Sequence, residues 1–247
     1  MIKDYNTYEY TKREYIKYLI MGAVLGASIG FIFYSNVFGV IILIPYGFVY
    51  VRNKKKELVN QRKWELNLEF RDGLMSVSAA LNAGYSVENS FREAICDLKL
   101  MYPPDALIIK EFEKIVYHLS MNVTLEDILR DFAKRSDVDD IQNFTEVLIT
   151  AKRSGGDLIK IIKATTDIIS DKIEVKREII TLTTAKKLEA SIMSIIPLGI
   201  VVYLRAFSPG FLDPLYHNAF GILFMTIVLI IYYITYLVTK RITNINV

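Results

Sequence analysis

Residues 157–196 read DLIKIIKATTDIISDKIEVKREIITLTTAKKLEASIMSII, a run without one glycine or proline. Its first part sets Leu158, Ile161, Ile162, Thr165, Ile168, Ile169, Ile173 and Ile180 among charged residues. That spacing is the period of a helix with one apolar face. Its last part flows into ASIMSIIPLGIVVYLRAF, residues 190–207, close to the roughly 20 apolar residues that cross a bilayer. One helix through residues 157–196 would be about 60 Å long. It would join a water-soluble segment directly to a membrane span. The alternative is a break near Thr181–Thr184, where β-branched residues lower helix propensity.

Three further apolar runs lie on either side. Ile16–Tyr34 carries one charge, Lys17, near its start, and Val37–Val51 carries none. Only Ser35 and Asn36 separate them, which reads as a tight transmembrane hairpin. The second run follows the first at once, so a cleaved signal peptide is not expected. Gly22, Gly26 and Gly30 recur every four residues, a spacing that lets two helix backbones approach closely in lipid. Ala219–Thr239 is uncharged, and the 208–218 connection before it holds Pro209, Gly210 and Pro214. Pro197 should kink or locally open the third span, and Arg205 sits close enough to its end to snorkel.

Orientation follows from the basic flanks. Lys12, Arg13 and Lys17 border the first span, Arg52 and Lys54–Lys56 follow the second, Lys186 and Lys187 precede the third, and Lys240 and Arg241 follow the fourth. The Ser35–Asn36 and 208–218 connections carry no Lys or Arg. Four spans with both termini cytoplasmic put every basic cluster on one side.

The composition agrees with this segregation. Hydrophobic residues are 52% of the chain and charged residues 23%, a mixture that fits neither a disordered chain nor a purely lipid-embedded one. Residues 52–189 carry 23 basic and 23 acidic side chains. A neutral segment of that kind lacks the clustered positive charge of a nucleic-acid face. Cys96 is the one cysteine, and the two histidines, His118 and His217, lie far apart. Disulfide frameworks and structural zinc are thereby excluded.

Between the second and third spans the periodicity is helical. The stripes are Leu66, Phe70, Leu74, Val77, Leu81; Val87, Phe91, Ile95, Leu98; Ile108, Phe112, Ile115, Leu119; Leu125, Ile128, Leu129, Phe132; and Ile141, Phe144, Leu148, Ala151. Boundary residues punctuate them. Gly84 suits a left-handed C-terminal position and Ser86 caps the next helix. Pro103 and Pro104 end that helix, and Asp105 is expected to cap the next. Thr124 caps the fourth, Ser136 and Asp137 are expected to start the fifth, and Gly155 and Gly156 end it. Asp157 falls in the first turn of the sixth. The expected fold is all-α: a six-helix cytoplasmic bundle and four transmembrane helices, the sixth bundle helix continuous with the third span. The expected divisions are a cytoplasmic segment 1–15, a hairpin of spans 16–51, the domain 52–189, a second hairpin 190–239 and a tail 240–247.

Catalytic signatures are missing. Asp137, Asp139 and Asp140 are adjacent or nearly so, a poor ligand geometry on a helix, and capping explains them. Glu65, Glu69 and Asp72 read as a solvated face. Gly155-Gly156 follows a helix rather than a strand and has no Lys-Ser/Thr behind it, so it is not a phosphate loop. No GxSxG or HExxH occurs. No cofactor is expected.

Three segments resemble one family, the type II secretion system F domain, and its shorter members in particular, the tight adherence B and C proteins of Flp-type pilus assembly. They are Leu81–Glu88 (LNAGYSVE), Ala151–Leu158 (AKRSGGDL), and Thr184–Ala190 (TAKKLEA) leading to Pro197. Asn122 stands where the family usually has glycine. The resemblance implies a non-enzymatic platform in the cytoplasmic membrane that couples a secretion ATPase to extraction and assembly of pilin subunits. It implies partners of those two kinds, membrane lipids, and a second F domain, from another copy or a paralogue. Gly84, Ser86, Gly155, Gly156 and Asp157 would then form structural turns or partner contacts, and Lys186, Lys187 and Pro197 would mark where the chain enters the membrane. The competing reading is a four-span transporter or channel subunit with a helical regulatory domain. It would need intramembrane polar groups along a path, and the spans offer little beyond Arg205, Ser28, Ser191 and Ser194.

The topology has a direct check in a Cys96→Ser background. Cysteine at position 36 or 213 should react with an impermeant maleimide in intact cells. Cysteine at position 139 should react only after permeabilisation, and labelling there in intact cells would contradict the arrangement.

Overall fold

The computed structural model describes residues 4–155, 157–208, 210–216 and 218–243. Gly156, Pro209 and His217, each named above, lie outside them. The described chain is all-α: α1 (Lys12–Tyr34), α2 (Val37–Leu43), α3 (Tyr46–Asn82), α4 (Val87–Met101), α5 (Leu107–Ser120), α6 (Leu125–Ser136), α7 (Asp139–Arg153), α8 (Leu158–Phe207), α9 (Asp213–Tyr216) and α10 (Ala219–Thr243). Four stretches are long and apolar enough to cross a membrane: Lys12–Tyr34, Val37–Asn82, Leu158–Phe207 and Phe220–Thr243.

The chain forms two compact units. The first joins the segment ending at Glu9 to Lys56–Val175. Its core is built from the predicted stripes. Leu66, Phe70, Leu74 and Val77 of α3 are buried together with Phe91 and Leu98 of α4, Ile108 and Phe112 of α5, Phe132 of α6, Phe144 of α7 and Ile162 of α8. Phe70 meets Phe132 and Phe144 edge-on at 6.0 and 5.5 Å between ring centroids, and Phe91 meets Phe112 at 5.0 Å. Each such ring contributes about 1.5–3 kcal/mol on burial and a further ~0.5–1.5 kcal/mol for the edge-to-face geometry.

The boundaries follow the punctuation with two corrections. Gly84 has φ +91°, its N–H donates to the Leu81 carbonyl and that of Tyr85 to the Ala80 carbonyl, a Schellman closure of α3. Asn122 takes φ +61° at the end of α5, with Val123 N–H donating to the His118 carbonyl. Asparagine is one of the few side chains that accept this geometry, so it serves where glycine was expected. The first correction concerns α5. Its N-cap is Ala106, not Asp105, and no capping side chain comes from Ala106 itself. The Glu69 carboxylate on α3 instead accepts from Ile108 N–H at 3.0 Å. The second concerns α7. Ser136 closes α6 rather than opening α7, and Asp137 is the C-cap of α6 with φ +49°. Val138 is the N-cap of α7.

The second unit holds Tyr10–Lys55 and the chain from Lys176 on. Pro45 lies between α2 and α3, so the second apolar run is two helices rather than one. The glycine stripe of α1 is buried against them. A β-carbon at Gly26 would collide with the Leu43 carbonyl oxygen, and one at Gly30 would lie 2.5 Å from the Gly39 carbonyl oxygen. Close backbone approach therefore explains the spacing. Phe33, Leu212, Tyr216 and Met225 form a separate small core. The Tyr34 and Thr226 hydroxyls pair at 3.0 Å, and Tyr216 donates to the Ile32 carbonyl. Helix α8 passes through Pro197 without interruption, and the Tyr232 hydroxyl donates to the Ser194 carbonyl one turn earlier. Most large apolar side chains here, including Ile20, Phe38, Ile42, Ile192 and Phe220, are exposed, as a lipid-facing surface requires.

Gly73 offers a test of the first unit's packing. It lies inside α3, and a β-carbon there would sit 2.7 Å from the Phe112 ring, a ring fully buried in the core. Alanine gains about 1 kcal/mol of helix propensity but overpacks at a cost of about 1–3 kcal/mol. Gly73→Ala should therefore lower stability by about 1 kcal/mol in denaturant titration, and Phe112→Leu combined with it should lose less than the sum of the two.

Candidate functional site

The turn residues singled out above fall at two helix junctions of the first unit. Ser86 is the N-cap of α4, its Oγ accepting from Asn89 N–H at 3.4 Å. Gly155 has φ +71° just after α7. Asp157 Oδ1 accepts from Ile159 N–H at 3.0 Å and Lys160 N–H at 3.3 Å, so its carboxylate satisfies the first amides of α8. Nothing lies within 4 Å of a β-carbon built on Gly84 or Gly155. Both turns face open space, and only their backbone angle selects glycine. Lys186 pairs with Glu189 at 2.9 Å on the exposed surface of α8, and Lys187 is exposed beside it.

Chemistry concentrates elsewhere, in a buried ionic cluster. Glu111 on α5 is 1% exposed. Its Oε2 accepts from Arg135 Nη2 at 2.7 Å, and its Oε1 accepts from Arg135 Nη1 at 3.0 Å, Lys114 Nζ at 2.7 Å and the Tyr5 hydroxyl at 2.7 Å. Asp131 holds the other edge of the guanidinium at 2.7 Å. Tyr5 is itself buried, and its N–H donates to the Arg135 carbonyl at 3.1 Å. The segment before the first span is thus part of the core of this unit. Arg62 continues the attachment, with its guanidinium 4.6 Å from the Tyr8 ring centre and a bond to the Thr7 carbonyl.

Burial pushes the Glu111 carboxyl upward, but the donors Arg135, Lys114 and Tyr5 outweigh it and hold the group below the usual carboxylate range. Burial works against the Arg135 charge, and hydrogen bonds to Glu111 and Asp131 more than restore it. Burial and the neighbouring Glu111 raise the Tyr5 phenol. These directions hold Glu111 as a carboxylate, Arg135 as a cation and Tyr5 as a neutral phenol.

A second cluster joins three helices. Asp140 on α7 is buried, accepting from Asn67 of α3 at 2.7 Å and from Lys172 of α8 at 2.5 Å. Asp137 pairs instead with Lys63 at 2.7 Å. The three aspartates between 137 and 140 therefore diverge. No group of three His, Cys, Asp or Glu that could hold a metal occurs among the described residues.

Both clusters left a trace in the sequence. Glu111 lies three residues after Ile108 and four before Ile115, on the apolar stripe, and Asp140 lies four before Phe144 in the same way. A carboxylate inside a stripe marks a buried charge that needs a partner. Tyr5 left no such trace, because no periodicity surrounds it.

Replacing Glu111 leaves the buried face of the Arg135 guanidinium unpaired, with Asp131 alone on its other edge, so Glu111→Ala should cost about 3 kcal/mol, the low end for a broken buried pair. Tyr5→Phe leaves Glu111 its two cations and should cost about 1.5–3 kcal/mol, the range for a bond to a charged group. Because the folded Glu111 is more acidic than an unfolded glutamate near 4.3, its contribution is complete above that value and is lost as pH falls through the folded value. Chemical denaturation from pH 7 to 3 should show a steeper acid loss for the natural chain than for Glu111→Gln.

Residues 74–205 match the family described as type II secretion system (T2SS), protein F. The match starts on α3, covers α4 to α7 and ends at Arg205 on α8, and it spans more than half of the chain. No curated protein and no solved structure matches the chain. With four helices able to cross a membrane and a helical domain matched along most of its length, the chain belongs to the type II secretion system protein F family.

Proposed function

We propose that this chain is a non-enzymatic platform in the cytoplasmic membrane of a secretion or pilus-assembly machine of the tight adherence kind. It couples a cytoplasmic secretion ATPase to extraction and assembly of pilin subunits. Both termini and the helical domain lie in the cytoplasm in this reading. The observation that carries it is the run of α8 from the folded domain into an apolar span, Leu158–Phe207, with α3 doing the same from Tyr46 to Asn82. A helix resists compression because each turn is held by i to i−4 bonds. Two helices of this kind give a partner's conformational work a direct route to the bilayer. ATP hydrolysis belongs to the partner.

The polar groups of the spans fit a platform better than a transport path. Ser28 and Ser194 return their hydroxyls to carbonyls of their own helix. Arg205 lies 4.3 Å from the Phe31 ring centre and donates to the Phe31 carbonyl. None of these interactions lines a continuous polar route.

A proline placed in α8 tests the coupling. Thr184 is exposed and its Oγ1 donates to the Ile180 carbonyl. Thr184→Pro removes one backbone bond and costs about 3 kcal/mol locally, far from the domain core. The variant should reach the membrane at normal levels, leave ATPase turnover of the assembled machine intact and abolish surface filaments. Thr184→Ala should keep them. Normal filaments with proline at 184 would overturn the reading.

A further inference from the structure

Arg205 carries a charge that the described protein does not neutralise. It is the one Lys or Arg between Lys187 and Lys240, and it stands near the end of α8, at the opposite end of the span from Lys186 and Lys187. Its side chain is exposed. Nη1 donates to the Phe31 carbonyl at 3.3 Å, and the centre of the guanidinium lies 4.3 Å from the Phe31 ring centre. The Phe31 carbonyl belongs to the last turn of α1, which has no basic residue of its own. Tyr216 donates to the neighbouring Ile32 carbonyl at 2.9 Å. Side chains from α8 and α9 thus close the C-terminus of α1, the end whose dipole favours a cation. They fix the guanidinium about one turn, roughly 6 Å, inside the end of that helix. A guanidinium has five N–H donors, and this bond uses one. Neither Nε nor Nη2 has an acceptor among the described residues, and no Asp or Glu there, Asp213 included, forms an ion pair with Arg205.

We propose that Arg205 is a headgroup site: its free Nε–Nη2 edge takes the phosphate of an anionic phospholipid in the outer leaflet. That edge presents two parallel N–H groups, the spacing that two phosphate oxygens match. The carbonyl and the ring that hold the other side are neutral and leave the full positive charge in place. One turn inside the end of a span, the acceptors within reach are those of lipid headgroups, which are drawn toward an arginine near a helix end as its side chain reaches toward them. A lipid with net negative charge meets the cation, whereas a zwitterionic one brings its own. The contact with Phe31 holds the guanidinium in place before the lipid arrives, so little side-chain freedom is lost on binding. The other basic clusters border the opposite ends of the spans, so this site can be tested separately from them. The proposal goes beyond the platform reading: the site exists whatever machine the chain serves, and only the leaflet depends on the orientation.

Native mass spectrometry of the full chain in mild detergent tests the site, with phosphatidylglycerol and phosphatidylcholine titrated separately. The natural chain should retain phosphatidylglycerol in preference to phosphatidylcholine. Arg205→Gln should hold one phosphatidylglycerol fewer at the same lipid concentration, its affinity at that site lowered about tenfold. Arg205→Lys keeps the charge and loses the fork, so it should bind more weakly than the natural chain, and it carries the test if the glutamine variant fails to fold. Lys17→Gln, an exposed cation at the other end of the first span, should leave the adduct count unchanged. Equal retention of the two lipids by the natural chain would overturn the anionic headgroup. An equal loss in Lys17→Gln would mark unspecific charge attraction and overturn the site. Unchanged phosphatidylglycerol retention in folded Arg205→Gln or Arg205→Lys would also overturn it, and would leave Arg205 as a cap of α1 or a partner for a carboxylate on another protein.

Discussion

The backbone of α8 must satisfy its hydrogen bonds in two solvents. In the first unit its amides could bond to water, and the helix is held because Ile162, Ile169 and Ile173 are buried in the core. In lipid no water is available, and only the helix itself can satisfy the chain. A break within the span itself would leave polar groups bare in lipid. The sequence meets this constraint by omitting glycine and proline for forty residues, 157–196. At the β-branched stretch Thr181, Thr183 and Thr184 the helix continues, each hydroxyl donating to a carbonyl one turn back. Pro197 comes after the helix has become apolar.

The first unit answers a different demand, which is to fix one arrangement of six short helix segments. Apolar stripes alone tolerate sliding. The buried carboxylates do not. Glu111 accepts from donors on three separate segments, Tyr5, Lys114 and Arg135, and Asp140 accepts from α3 and α8 together. Moving α5 against α6, or α7 against α8, by a turn would leave a charge unpaired in the core, at a cost of several kcal/mol. These groups are expensive to bury, and their pairing fixes which helices lie side by side.

Much of this was legible in the sequence because helices announce themselves locally. Gly84, Ser86 and Thr124 act where their backbone and capping chemistry say they should, while Asp157, expected inside the first turn of its helix, caps α8 from just before it. What failed depends on distance. Asp105 lost its cap role to Glu69, a carboxylate 36 residues away in sequence, and no local rule sees that. Asp137 ended a helix instead of starting one: it takes a left-handed angle, and its carboxylate pairs with Lys63 on α3. The stripe on α8 was read as one face, yet Ile162, Ile169 and Ile173 are buried while Ile168 and Ile180 are exposed, a division that apolar spacing alone does not give.

Continuity of α8 through residues 176–190 is the claim on which transmission to the membrane rests. A nitroxide scan of that segment in the full chain, reconstituted in lipid, measures it directly. Side-chain mobility should oscillate with the 3.6-residue period of a helix from 173 to 192 without a lapse. Loss of the oscillation around Thr181–Thr184, with uniformly mobile labels there, would mean that the domain and the span are joined by a hinge.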